Sequence, residues 1–487
     1  MASSRASAPG RHLVSAVSAV GSRQGVSSLL TELRIAFGVA LALPVLIPYA
    51  SVLVLGGNLV RFAFPVYVLA ASMALVLSRR GLYPAFIIAV FAYAAFLRRV
   101  ADYSGGFVLF NPILLAPYLG LLPTVPSLVR RVLGRRSGSV WPFVVFLSCM
   151  AYGTFVAILN GAALVSTFYE PIRWLMPISL CAFILDQPAQ GERIRRNLVA
   201  SLLVILPVLV IYGVYQYFVA PVWDVSWMIN IDNPTFGLPE PFKIRVFSTM
   251  NAPFSVAAFA TMAMILLAGE GLLGLAVAGL GIPLLALTLV RTAWVGLVVG
   301  FLVLFLNAPP SRQALLLLGS LGIVFACMLI ISSPVVPPQV ATTITDRLAT
   351  FQDLKTDDSA NERLGVYDAF YNRLADNPFG EGFGVNQSIV TLQNKQANQA
   401  LDSGILETYL VFGVVAGSAY FLALGALVLD ALRLTRHSPA RLAGCMAVVS
   451  SVLAMSFFGS AQVGEVGVME WAALGIMLAH GQPACQA

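Results

Sequence analysis

The chain has 487 residues, of which 59% are hydrophobic and only 10% charged, whereas a soluble domain carries roughly a quarter charged residues. This composition excludes an ordinary water-soluble globule and calls for lipid as solvent. The net charge of +7 is no argument for nucleic acid, because excess Lys and Arg in a membrane protein usually records orientation.

Residues 1–34 carry Arg5, Arg11, Arg23 and Arg34 among Ser, Ala and Gly, with no cleavable apolar core before the first long span, and are expected to form a cytoplasmic tail. Apolar runs long enough to cross about 30 Å of hydrocarbon then recur from Ile35 to His480. Backbone in lipid must bond within its own segment, so the predicted architecture is an all-α polytopic bundle of about 12–14 transmembrane helices. The expected organisation is a helical bundle over 35–332 with an outward loop at 220–246, a large outward loop over 333–403 containing short helices, and further transmembrane helices over 404–487. The stretch around Pro112 and Pro117 reads either as a span or as a re-entrant segment.

Placing the amino terminus in the cytoplasm puts Arg79, Arg80, the Arg130 to Arg136 cluster, Arg193 to Arg196, Arg312, and Arg433 to Arg441 on one side, in accord with the positive-inside rule. Arg98 and Arg99 are exceptions that fall on the outer side. The segment 220–246 contains Trp223, Trp227, Asp232, Lys243 and Arg245, and the loop 333–403 holds nine acids against five bases. A loop of that length is functional or disordered as a rule. Within it, Asn361 to Asp376 spaces Leu364, Tyr367, Tyr371 and Leu374 like the apolar face of a short helix packed on the bundle. Asn377-Pro378 ends that helix, and Gly380, Gly382 and Gly384 follow as a tight turn. The glycines do not read as a dinucleotide loop, since no strand precedes them.

Three arginines mark outward boundaries: Arg245 before a span, Arg291 between two spans and Arg363 in the long loop. Each taken singly also fits a snorkelling side chain. Three on one face fit an anionic, phosphate-bearing lipid substrate, because a guanidinium fork grips two phosphate oxygens and keeps its charge. Asp402, where the acidic loop re-enters the membrane, suits a helix N-cap. It equally suits a base that takes the proton of an attacking hydroxyl. The only histidines, His12, His437 and His480, fall in the tail, a cytoplasmic loop and the carboxyl end, so outward acid/base chemistry must use carboxylates. Cys149, Cys181, Cys327, Cys445 and Cys485 form no CxxC pair and no set of metal-ligand spacing.

Four stretches between Arg245 and Gly417 resemble the O-antigen ligase and polymerase superfamily, membrane glycosyltransferases of the GT-C type. Ile244 to Pro253 (IRVFSTMNAP) resembles the family's arginine and Asn-containing helix start; Thr288 to Trp294 (TLVRTAW) its Ser-Arg element, with Val290 in place of the serine. Asn361 to Gly384 resembles the loop arginine, short helix and Pro-x-Gly-x-Gly turn; Asp402 to Gly417 the closing motif, in which a His or Asp precedes a glycine-bearing helix. The resemblance implies a bacterial inner-membrane enzyme with a periplasmic active site, transferring a glycan from undecaprenyl diphosphate to an acceptor hydroxyl by inversion, without metal or other cofactor. Carried over by position, Arg245, Arg291 and Arg363 would hold the diphosphate, Arg291 would also act in catalysis, and Asp402 would be the base. Ligases resemble one another in having histidine there and polymerases often show Asp, so the expected activity is polymerisation of lipid-linked repeat units into a surface polysaccharide. A flippase and a chain-length regulator are possible partners.

An O-antigen ligase and a protein O-oligosaccharyltransferase share this scaffold and differ in acceptor. A polysaccharide or lipid transporter is the alternative from another class. Transporters gather polar residues and broken helices near the bilayer midplane, whereas here the charges gather in one loop and at one boundary.

Overall fold

The structure, a computed structural model, describes residues 34–134, 140–331, 370–384, 403–436 and 439–480. Among them there are helices and turns and no strand; the lone β-type pairing is the isolated antiparallel bridge between Gly237 and Ile244. The helices are α1 (Arg34–Leu55), α2 (Gly57–Ser78), α3 (Tyr83–Gly105), α4 (Pro112–Val132), α5 (Trp141–Leu159), α6 (Leu164–Leu185) and α7 (Gly191–Val219). There follow the short α8 (Val222–Ile231), then α9 (Pro253–Ala268), α10 (Leu272–Thr288), α11 (Arg291–Asn307), α12 (Pro310–Ile331), α13 (Gly404–Thr435), α14 (Pro439–Met455) and α15 (Gly464–His480).

Eight of these are long and apolar enough to cross a membrane, among the described residues, and α9 to α12 and α14 are shorter apolar helices. The protein is thus an all-α polytopic membrane protein. Large apolar side chains such as Leu53, Val54, Phe62, Leu77 and Val298 stand exposed around the bundle, as lipid requires of a perimeter. The interior is built around α3, α9 and α15, whose residues are buried almost throughout.

Hairpin succession gives the bundle two ends. Arg131 donates to Asp186 at 2.8 Å, Arg195 pairs with Glu192 and Glu270, and Arg312 donates to Gly269 O. These groups mark the end where α4, α6, α9 and α13 finish, here called the basic end. The opposite end, called the loop end, holds the starts of those helices and the whole 220–252 connection.

Three expectations are modified. Of the two readings of the Pro112–Pro117 stretch, the span is the one that fits, as a segmented helix: α4 has 3-10 turns at Pro112–Leu115 and Leu122–Thr124 around short α turns. It runs the length of the bundle, from Asn111 beside Asp102 to Arg131 beside Asp186. Prolines at 112, 117, 123 and 126 each sit near the start of a turn, where a missing N–H costs least. Arg98 and Arg99, the two exceptions to the charge rule, are 3% and 1% exposed and bound into ion pairs, so they are structural and carry no information on sidedness. In the short helix before Pro378, of which 370–376 are described, Phe370 is buried at 4% while Tyr371 is 65% exposed, so the packed face is rotated from the one the spacing suggested. Leu364 and Tyr367 lie outside the described residues.

Candidate active site

The site forms at the loop end, where the connection 244–252 dives back into the bundle. Residues 246–250 are all buried, and such a stretch of non-helical backbone needs a partner for every polar group. Two side chains, Gln216 and Arg99, supply several of them. Gln216 of α7 accepts from Phe247 N at 3.0 Å and Ser248 N at 2.8 Å, and donates to Asp224 at 2.6 Å. Arg99 of α3 donates to Met250 O at 2.7 Å and to Ser248 O, and its Nε pairs with Asp224 at 2.6 Å. Asp224 of α8 thereby binds both anchors, and Tyr212 adds a third donor to it at 2.9 Å. Thr249 inserts into the ladder of α3: its hydroxyl donates to Ala92 O at 2.6 Å and its carbonyl accepts from Phe96 N at 2.9 Å. The Arg99 guanidinium lies 4.8 Å from the centre of the Phe247 ring, within a cluster that includes Trp227 and Phe236.

This buried network holds Arg245 at the head of the segment and Asn251 at its tail. Arg245 N donates to Phe236 O at 2.9 Å, Val246 N to Leu287 O at 3.1 Å, and Arg245 Nε to Thr288 O at 3.4 Å. Thr288 ends α10 and Arg291 opens α11, so the two arginines, far apart in sequence, are fastened to one turn. Leu289 within that turn has φ 56°, a left-handed conformation that costs a branched side chain energy. All five non-glycine residues with positive φ among the described residues are at the loop end: Ala220, Asp232, Phe242, Ser248 and Leu289. Strain of this kind concentrates where a site must hold a shape its local sequence resists.

Arg291 is also placed against the helix field. The first residue of α11 carries a positive charge and the first turn no acid, while the partial charge of a helix N-terminus is itself positive.

The last motif is built by interpenetration. Gly413 interrupts α13 with φ 71°, ψ −178°. The turn 378–384 fills the break: Val414 N donates to Pro378 O at 2.9 Å, Glu381 N to Leu410 O at 2.7 Å and Gly382 N to Val411 O at 3.1 Å. A Cβ on Gly380 or Gly413 would collide with the backbone of the other segment, and one on Gly382 with Ala157 of α5, so the glycine spacing reflects contact between two main chains. Arg373 pairs with Glu381 and Tyr152 donates to Phe379 O at 2.6 Å, tying the short helix and α5 to the same turn. This lock fixes the first half of α13, whose N-cap is Ser403, accepting from Leu406 N at 3.4 Å. The capping position proposed for Asp402 is therefore filled by Ser403. Asp402 and Arg363 lie outside the described residues.

A cavity of about 250 Å³ opens at the same end between α3, α4, α6 and the start of α15, and Asn251 lines it. Of its ionic residues Arg98, Glu170, Arg173 and Glu465, the last three were not singled out in the sequence, and Arg98 was noted only as an exception to the charge rule. Glu170 and Arg173 did carry a signal, two charges three residues apart in an otherwise apolar run, which inside a membrane helix marks a functional candidate.

No curated protein matches the chain. Residues 274–421 match the family model described as O-antigen ligase, a stretch that contains Arg291 and the interlocked turn but begins after Arg245, and this match supports assignment to the O-antigen ligase and polymerase superfamily.

Proposed function

We propose that this chain polymerises lipid-diphosphate-linked oligosaccharide repeat units at the loop end of the bundle, which would face the periplasm of a bacterial inner membrane. The observation that carries the reading is the shared turn of Arg245 and Arg291 at a strained, positively polarised helix start. The family match supports a lipid-linked glycan as substrate.

In this reading the two arginines bind the diphosphate of the growing chain and stabilise the charge that builds on it as the sugar leaves. Such stabilisation by preorganised donors is a large part of catalysis. Arg363 completes the set from the long loop. Asp402, one residue before the N-cap of α13, takes the proton of the acceptor hydroxyl, and the lock at Gly413 keeps its attachment point rigid. The new bond joins the acceptor oxygen to the anomeric carbon, and undecaprenyl diphosphate leaves with the former bonding pair. An O-antigen ligase would share this scaffold and differ in taking lipid A core as acceptor.

The test is reconstitution with undecaprenyl-diphosphate-linked repeat units and a gel of product length. A ladder made by the wild type and abolished in Arg291→Ala and Asp402→Asn is expected. Transfer of a single preformed chain to lipid A core, with no ladder, replaces polymerase by ligase.

A further inference from the structure

The cavity beside Asn251 differs in charge from the arginine turn. Of its four ionic residues two are cationic and two anionic, so their formal charge cancels. Arg98 is held through two of its nitrogens: Nε meets Asp102 at 3.2 Å and Nη2 donates to Val108 O and Leu109 O, each at 3.2 Å. Arg173 is held from one side only, its Nη1 lying 2.8 and 3.1 Å from the two oxygens of the buried Glu170. Its Nε and Nη2 make no hydrogen bond among the described residues, and they lie under Gly464, where a Cβ would stand 3.6–3.7 Å from them. Glu465 accepts from Ser255 at 2.6 Å through Oε1 alone, leaving Oε2 open, and Asn251 has an exposed amide with no protein partner among the described residues. The lining also includes the aromatic side chains Phe91, Phe110 and Tyr118, and the Tyr118 hydroxyl lies next to Arg173 beside Gly464.

A pocket that is neutral overall offers no net attraction to a diphosphate dianion. Unused donors on Arg173, an unused acceptor on Glu465, an amide able to do both, and aromatic rings in the lining are the groups that recognise a ring bearing hydroxyls. The volume of about 250 Å³ exceeds the roughly 150 Å³ that admits a benzene ring. We infer that this cavity is a sugar subsite, separate from the diphosphate site at Arg245 and Arg291, that holds one uncharged saccharide ring of the lipid-linked substrate by Arg173, Glu465 and Asn251. The inference rests on the reading of the substrate as a lipid-linked glycan. The 244–252 segment joins the two sites, with Arg245 at one end and Asn251 at the other.

The experiment compares two probes on the full chain in nanodiscs: bare undecaprenyl diphosphate, and undecaprenyl diphosphate carrying the oligosaccharide isolated from producing cells. The wild type should bind the glycosylated probe about ten-fold more tightly or better, the value of one or two well-made polar contacts. Glu465→Gln, which preserves shape, and Val165→Trp, which places bulk at the exposed rim of the cavity without touching the core, should each remove most of that preference. Both should leave bare undecaprenyl diphosphate within about two-fold, since neither alters the arginine turn. Equal loss for both probes, no loss for either, or no preference in the wild type would overturn the sugar subsite. Arg291→Ala separates the two ideas: if it leaves bare-probe affinity intact, the diphosphate reading fails whatever the cavity does.

Discussion

The two ends of the bundle solve the same problem of charge in different ways. At the basic end the ion pairs are mixed: Arg131 with Asp186 is buried, while Arg195 with Glu192 and the exposed Arg433 with Asp430 are near neighbours on helix surfaces. At the loop end the charges are carried inward: Arg99 and Asp224 are 1% and 0% exposed, come from α3 and α8, and fasten a non-helical strand of chain between them. Among the described residues, positive φ at non-glycine residues and an interrupted helix both lie at that end. One end is a boundary that stops helices; the other stores cost in order to hold a shape.

Substitutions can break that contrast, and the largest effect is expected at its centre. Asp224→Ala leaves Arg99 buried without its partner and strips Gln216 and Tyr212 of an acceptor, a loss of about 3–5 kcal/mol. Fluorescence-detected size exclusion should show aggregated or poorly expressed protein, and a monodisperse peak of wild-type melting temperature would refute the anchoring role. Gly413→Ala comes next, at roughly 2–3 kcal/mol, because it combines a positive φ with a collision against the 378–380 backbone. Thermal melting reads it, and Gly425→Ala, in open space on the same helix, is the control that should be neutral or stabilising.

Arg291→Lys sharpens the comparison in another currency. The charge stays while the bidentate fork is lost, so turnover should fall about 10- to 100-fold with the melting temperature nearly unchanged. Equal activity in the Lys variant would reduce Arg291 to a point charge. Arg433→Ala at the basic end is the smallest: an exposed pair is worth within about 0.5 kcal/mol, and neither melting nor turnover should move measurably.

The helices were legible because apolar run length is a property of consecutive residues, and lipid leaves helix as the solution for each run. The arginines at 245 and 291 were legible for a similar reason, as charges at the edges of apolar runs. The glycines of 380–384 read as a turn, yet Gly380 admits the backbone of α13 and Gly382 that of α5, and nothing local encodes those partners. Arg98 and Arg99 misled for the same cause. Their sequence neighbours suggest a boundary charge, while Asp224, the partner of Arg99, is 125 positions away.

What the sequence alone determined, then, is that the chain is a helical membrane protein and where its strongest charges interrupt lipid-compatible runs, since both follow from residues adjacent along the chain. Only the tertiary structure decided which charges neutralise one another, that Ser403 caps α13, and that Glu170, Arg173, Asn251 and Glu465 from three separate segments surround one cavity. Pairing and enclosure depend on distances across the bundle, and a buried charge takes its meaning from the group that faces it.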